Sequence, residues 1–182
     1  MPDFDAFNGD ADGICALHQL RLAEPREATL ITGVKRDIAL LRRIDAGRGD
    51  RVTALDISLN KNREPLLRLL DAGASVEYFD HHQADDIPAH PNLHAHIDTG
   101  AEWCTSLLVN RQLGGRHLIW AVVAAVGVSL TAGSVAEAGG GHHGHGHHGH
   151  HGHWHGHRGY SFSGAHGHDQ GRLRCIMSLA RS

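Results

Sequence analysis

Short apolar, β-branched runs alternate along residues 1 to about 126 with segments whose apolar positions recur at helical spacing. DFDAF reads as a strand and is followed by a helical pattern from Ile14 to Leu22; ATLITG precedes a helical pattern from Lys35 to Asp45. RVTALDI precedes one from Asn62 to Leu70, SVEYF and LHAHI follow, and a last helix is predicted from about Gly100 to Gln112. Strands that alternate with helices predict a parallel sheet covered on both faces, a Rossmann-like α/β fold. Boundary chemistry agrees. Asn62 can cap a helix with Pro65 in its first turn and Gly73 at its end, and Thr99-x-x-Glu102 spells a capping box ahead of Trp103, Leu107 and Leu108.

Open α/β sheets bind ligands outside the carboxyl ends of their strands, so those ends are where chemistry is expected. DFDAF runs into Asn8-Gly-Asp10-Ala-Asp12-Gly13, RVTAL into Asp56, and SVEYF into Asp80-His81-His82. Three strand ends far apart in sequence thus carry acids or imidazoles that one sheet can bring side by side. Carboxylates gathered without countercharge repel, and a divalent cation is their natural occupant. Oxygen ligands with one or two imidazoles suit Mn²⁺ or Mg²⁺ better than a thiolate-seeking ion, and Asp56 is placed to bridge two ions.

Two plainer readings compete. Asn8-x-Asp10-x-Asp12-Gly13 approaches a calcium loop of the EF-hand type, yet its first position is an amide, its twelfth is Gln19 instead of Glu, and a strand precedes it. Asn-Gly and Asp-Gly pairs also form ordinary turns. Turn chemistry, however, requires neither Asp56 nor the Asp-His-His at the neighbouring strand ends.

Composition divides the chain. Residues 139–168 are dominated by Gly and His and hold twelve of the nineteen histidines. Such a stretch has high chain entropy and no apolar periodicity to offset it, so 127–182 is expected to be a disordered low-complexity tail behind a folded domain spanning 1–126. A net charge of −3 gives no basic footprint for stable binding to duplex nucleic acid. Three well-separated cysteines, Cys15, Cys104 and Cys175, suit a reducing compartment. The acidic opening MPDFDAF lacks the form of a signal peptide, and the apolar run Leu118 to Val126 is about half of a membrane span of roughly 20 residues. A cytoplasmic protein without membrane association is expected.

FNGDADGICAL, LDIS and YFDHH, in that order, resemble the DHH phosphoesterases, a family that includes RecJ-type exonucleases, nanoRNase-like oligoribonucleases and family II inorganic pyrophosphatases. The resemblance spans about residues 3 to 126, the catalytic domain only. It implies that Asp10 and Asp12 each hold one of two Mn²⁺ ions, with Mg²⁺ as the alternative metal, that Asp56 bridges the pair and that His81 ligates the second. It further implies that His82 faces the substrate phosphate and that Asp80 supports the ligands from behind. The implied substrate is a phosphorylated small molecule or a short oligonucleotide, hydrolysed at a phosphodiester or phosphoanhydride bond by metal-activated water.

Three departures qualify that expectation. Asn8 is a neutral amide where several branches carry an ionisable or imidazole ligand. A further metal-binding Asp is expected near Val128, yet WAVVAAVGVSL contains none; Asp98 is the candidate substitute, with placement at a helix start favoured. Beyond about Gly127 the substrate-gripping domain gives way to the Gly/His tract, as a change of reading frame would produce. Impaired activity is therefore expected. The alternative is a non-catalytic protein whose His tract binds Zn²⁺, Ni²⁺ or Cu²⁺, or an inactive fragment. Lys35, Arg36, Arg42 and Arg43 are read as a solvated helix face, His18, His90, His94 and His96 as surface or strand-edge residues, and Cys15 and Cys104 as packing groups.

Overall fold

A computed structural model of the chain describes residues 1–33, 37 and 39–133, with side chains to residue 126. Its elements are β1 (Asp3–Asn8), α1 (Ala11–Ala23), β2 (Thr29–Gly33), a 3₁₀ turn (Leu40–Arg43), β3 (Arg51–Leu55), α2 (Leu59–Asp71), β4 (Ser75–Asp80), β5 (Leu93–Ile97), α3 (Thr105–Gln112) and α4 (Leu118–Gly133). The five strands form one parallel sheet in the order β2-β1-β3-β4-β5. The chain first crosses from β1 to β2 and then returns past β1 to β3. That reversal opens a crevice between the carboxyl ends of β1 and β3, the place where sheets of this kind bind ligands.

Alternation along the strands sends side chains to two separate cores. Ala6, Ala54 and Tyr78 lie in register across β1, β3 and β4 and pack with Leu40, Leu41, Leu59, Leu66, Leu69 and Leu70 from the 3₁₀ turn and α2. The next residues, Phe7, Leu55 and Phe79, face the other way and meet Ala16 of α1 and Leu108 and Val109 of α3. With both faces covered, the central strands need not alternate with polar residues at their carboxyl halves. Each fully buried leucine contributes about 1.5–3 kcal/mol relative to its exposed state, and those on α2 bind that helix to the sheet.

The element boundaries depart from the sequence expectation in instructive places. Among the described residues of the pattern from Lys35 to Asp45, a 3₁₀ turn forms at Leu40–Arg43; Lys35, Arg36 and Ile38 lie outside the described residues. The turn is fastened from outside: Asn62 Oδ1 accepts the Leu41 N–H at 3.1 Å and its Nδ2 donates to the Ser58 carbonyl at 3.0 Å. Asn62 is accordingly buried inside α2, which starts at Leu59 after Ser58, instead of capping it. Gly73 does end α2, at φ +90, where its N–H reaches the Leu70 carbonyl. Arg42 and Arg43 pair with Asp37 and are solvent-exposed to a large degree.

The predicted capping box also fails. α3 begins at Thr105, not near Gly100, and residues 100–104 form a turn in which the Trp103 N–H donates to the Gly100 carbonyl. The reason lies in the crevice, where Asp12 supplies the cap (below). α4 runs to Gly133, past the boundary drawn at residue 126, and the Gly/His tract lies outside the described residues.

α1 can start immediately after β1 only because Gly13 has no side chain. A Cβ there would sit 2.2 Å from the Asn8 carbonyl oxygen, a backbone atom that cannot move aside. Gly13→Ala is expected to lower unfolding free energy by about 1–3 kcal/mol or more, read from the urea midpoint, because the added methyl overpacks a backbone contact.

Candidate metal centre

The crevice is built from three strand ends. After β1 the chain turns into α1, and Asp10 caps that helix: its Oδ1 accepts the Asp12 and Gly13 N–H groups at 3.0 and 3.3 Å. After β3 comes Asp56, buried and held at φ 58, a left-handed conformation uncommon for a residue other than glycine. The Asp56 N–H donates to the Phe79 carbonyl at 3.0 Å, which ties this strained position to the end of β4. Backbone strain of this sort persists where surrounding contacts over-determine it and clusters at functional sites. After β4 come His81 and His82.

Side chains from these ends meet. Asn8 Nδ2 donates to Asp10 Oδ2 and to Asp56 Oδ2, each at 3.1 Å, and so bridges the two acids. His81 Nε2 lies 3.4 Å from Asp56 Oδ1 and 3.8 Å from Asp12 Oδ2. One ligand atom each from Asp56, His81 and His82 fall within 4.8 Å of one another, a spacing that can hold a metal ion. The structure thus draws Asp12, Asp56, His81 and His82 together, with Asp10 joined to them through Asn8. His82 also falls within this group, although the resemblance places it toward the substrate.

Asp80 is fully buried behind His82. Its Oδ1 contacts His82 Nδ1 at 2.6 Å and accepts the His82 N–H at 3.2 Å, and its Oδ2 accepts the Leu59 N–H at the start of α2 at 3.4 Å. Asp80 engages Nδ1, so Nε2 is the ring nitrogen left for a ligand or a substrate contact. Hydrogen bonding to Asp80 raises the His82 pKa against the opposing effect of burial.

Electrostatics match a site short of positive charge. The ion pairs of Asp12, Asp56 and Asp80 among the described residues are all with His81 or His82. Burial first, then the neighbouring Asp12, push the Asp56 carboxyl up to about 7. Burial opposes charge on His81, but the Asp56 hydrogen bond and the carboxylates of Asp12, Asp56 and Asp80 outweigh it and raise His81 to about 9. Asp12 and Asp56 with His81 and His82, without a guanidinium or ammonium ion pair among the described residues, form a donor set of carboxylate oxygens and imidazoles that fits Mn²⁺ or Mg²⁺.

Other candidates fall elsewhere. Asp98 accepts the Gly100 N–H at 3.2 Å and pairs with Arg111 at 3.5 Å, a turn role outside the cluster. The residue missed from sequence is Thr105, whose hydroxyl donates to Asp56 Oδ1 at 3.0 Å. A threonine ahead of an apolar helix carries no local sign of such a contact. A cavity of about 270 Å³ opens at the other ends of the strands, with Arg26, Arg51, Glu77, His94 and His96 in its wall. Its charges are matched from within: Arg26 and Arg51 pair with Asp3, Arg51 with Glu24, and His96 with Glu77. It reads as a structural ion-pair shelf. Among the described residues no helix is long and apolar enough to cross a membrane.

No protein-family model matches the chain, and no curated protein does. Among solved structures it is similar to RecJ in complex with Mn²⁺ from Thermus thermophilus, at 21% identity and a TM-score of 0.41, over 69% of this chain and 21% of that one. It is also similar to an exonuclease RecJ bound to manganese, at 19% identity and a TM-score of 0.42, over 69% of this chain and 37% of that one. The chain therefore spans well under half the length of either structure.

The signs of the pKa shifts predict how the metal-free chain responds to pH. Asp56, His81 and His82 all bind protons more tightly folded than unfolded, so each contributes stability that is lost as pH rises through its folded value. The Asp56 contribution is lost from its ordinary 3.8 up to about 7, and the His81 contribution from 6.5 up to about 9. In EDTA the urea midpoint is expected to fall between about pH 5 and about pH 9, and Mn²⁺ is expected to reverse that slope because its ligands must shed protons. Urea titrations across that range, with and without Mn²⁺, check both signs.

Proposed function

We propose that the chain carries the metal-dependent hydrolytic centre of a DHH-type phosphoesterase. The supporting observation is the convergence of Asp56, held in a left-handed conformation, with Asp12, His81 and His82 in the crevice between β1 and β3. In this reading Asp10, Asp12, Asp56 and His81 would hold two divalent cations, Mn²⁺ or Mg²⁺. When bound, such a pair supplies an acidified water and neutralises charge on phosphoryl oxygens.

The chain's own residues supply the rest. Asn8 links Asp10 and Asp56 by donating one hydrogen bond to each. Asp80 engages His82 at Nδ1 and raises its pKa, so that in its doubly protonated form His82 could donate from Nε2 to a phosphoryl or leaving oxygen. The left-handed turn at Asp56 aims a buried carboxylate into the crevice, and the apolar floor of Phe7, Leu55 and Phe79 beneath it lowers the local dielectric. The substrate class is a phosphodiester or phosphoanhydride, either a phosphorylated small molecule or a short oligonucleotide. Turnover is expected to be weak, since no acid stands near Val128 to complete the ligand set.

Hydrolysis of bis-p-nitrophenyl phosphate with Mn²⁺ tests the reading. Asp56→Ala is expected to lower the rate at least about tenfold, the smallest effect that loss of a group supporting a metal ligand has. Equal rates for the two chains would remove the catalytic claim.

A second reading rests on the twelve histidines between residues 139 and 168. Repeated imidazoles ligate Zn²⁺, Ni²⁺ or Cu²⁺, so the tract itself would be the working metal site. Deleting residues 139–168 separates the readings. Mn²⁺ binding that survives the deletion and disappears in Asp56→Ala belongs to the crevice, whereas binding that vanishes with the tract belongs to the tail.

A further inference from the structure

Asp12 has no helix of its own to cap, yet both of its oxygens are engaged by one. The Thr105 N–H donates to Asp12 Oδ2 and the Ser106 N–H to Asp12 Oδ1, each at 2.8 Å. α3 thereby receives its N-terminal acceptor from a residue at the start of α1, and its own preceding residue, Cys104, provides no side-chain cap. The same Thr105 reaches a second acid through its hydroxyl, at 3.0 Å from Asp56 Oδ1. Thr105, Ser106, Asp12 and Asp56 are all buried, so water does not compete for these bonds. Gln19 secures the far side of the turn by donating to the Ser106 carbonyl at 2.9 Å.

The geometry has a directional consequence. Two N–H donors on two oxygens fix the plane of the Asp12 carboxylate, and the positive end of α3 offsets part of its charge. Asp56 is held from both sides, by Asn8 Nδ2 on Oδ2 and by Thr105 Oγ1 on Oδ1. Each carboxylate oxygen accepts one of these donors and has two lone pairs, so a further lone pair is left that a cation could take. His81 Nε2 lies 3.8 Å from the Asp12 oxygen and 3.4 Å from the Asp56 oxygen that Thr105 touches.

We infer that Thr105 is a positioning residue of the crevice: through its amide and hydroxyl, with the Ser106 amide beside it, it sets the orientation in which Asp12 and Asp56 receive a divalent cation. The inference rests on the metal-site reading above. Groups that orient metal ligands from behind change metal affinity by about 10- to 100-fold when removed, which sets the size of the effect. The sequence cue, a Thr-Ser pair opening an apolar helix, becomes informative only when Asp12 and Asp56 lie beside it.

The test uses the full chain and Mn²⁺ alone, with free ion followed by electron paramagnetic resonance. Only the binding that Asp56→Ala abolishes is counted, which excludes the His tract. Thr105→Val is expected to weaken that component about 10-fold or more, and Thr105→Ser, which keeps the hydroxyl, to hold it within about twofold of the parent. In EDTA, Asp12→Ala is expected to speed hydrogen exchange of the Thr105 and Ser106 amides at least about tenfold, because both lose their acceptor. Equal Mn²⁺ affinity in Thr105→Val and the parent overturns the positioning role, as does a tenfold loss in Thr105→Ser. A Thr105→Val chain that fails to fold, beside a Thr105→Ser chain of parental affinity, makes the hydroxyl structural and also overturns it. If the parent and Asp56→Ala bind Mn²⁺ alike, the metal-site reading itself has failed, while unchanged amide exchange in Asp12→Ala would refute the cap independently.

Discussion

Buried carboxylates at one point in a fold are costly, and the structure is organised around containing that cost. Asp12 and Asp56 come from different strand ends and sit close enough that each raises the other's electrostatic energy. They are kept there by donors: two amides of α3 on Asp12, and Asn8 with Thr105 on Asp56. Every one of those donors must be delivered by an element whose position is otherwise set by packing. The acidic cluster and the apolar cores are therefore parts of one arrangement.

The cores do the delivering. Phe7, Leu55 and Phe79 on one face of β1, β3 and β4 receive α1 and α3, which brings the first turn of α3 over the crevice. On the other face, Tyr78 sits under α2, and its hydroxyl donates to the Ile57 carbonyl at 2.8 Å just after Asp56. α2 in turn presents the Leu59 amide to Asp80, the acid that holds His82. Asp12, Asp56 and His82 are thus backed by hydrogen bonds that trace to elements whose other side is buried. Such support is what keeps a ligand set oriented before a cation arrives.

Much of the fold was legible from the chain. Strand runs and helical periodicity located all five strands and α1, α2 and α3, and turn-forming and acidic residues marked the three strand ends. Two of the departures have a common cause. The helical pattern at Lys35 to Asp45 satisfied periodicity, but the residues described there are held by Asn62 on α2, and a single 3₁₀ turn satisfies Leu40 and Leu41 as well as a helix would. The capping box at Thr99 satisfied local chemistry, but α3 takes its acceptor, both oxygens of the Asp12 carboxyl group, from elsewhere in the chain. Local signals lost where a distant group bound the same backbone more strongly.

The sequence by itself determined which residue types stand at each strand end, because turns, caps and the two-residue strand period are local properties of a few neighbouring residues. It also determined that two cores would form, since apolar residues occupy both parities of β1, β3 and β4. Only the tertiary structure decided that β1 and β3 are neighbours, that Asp56 is left-handed, and that Asp12 caps a helix 93 residues away. Those outcomes depend on strand order and on hydrogen bonds between elements remote in sequence, and no local periodicity encodes a partner that far along the chain.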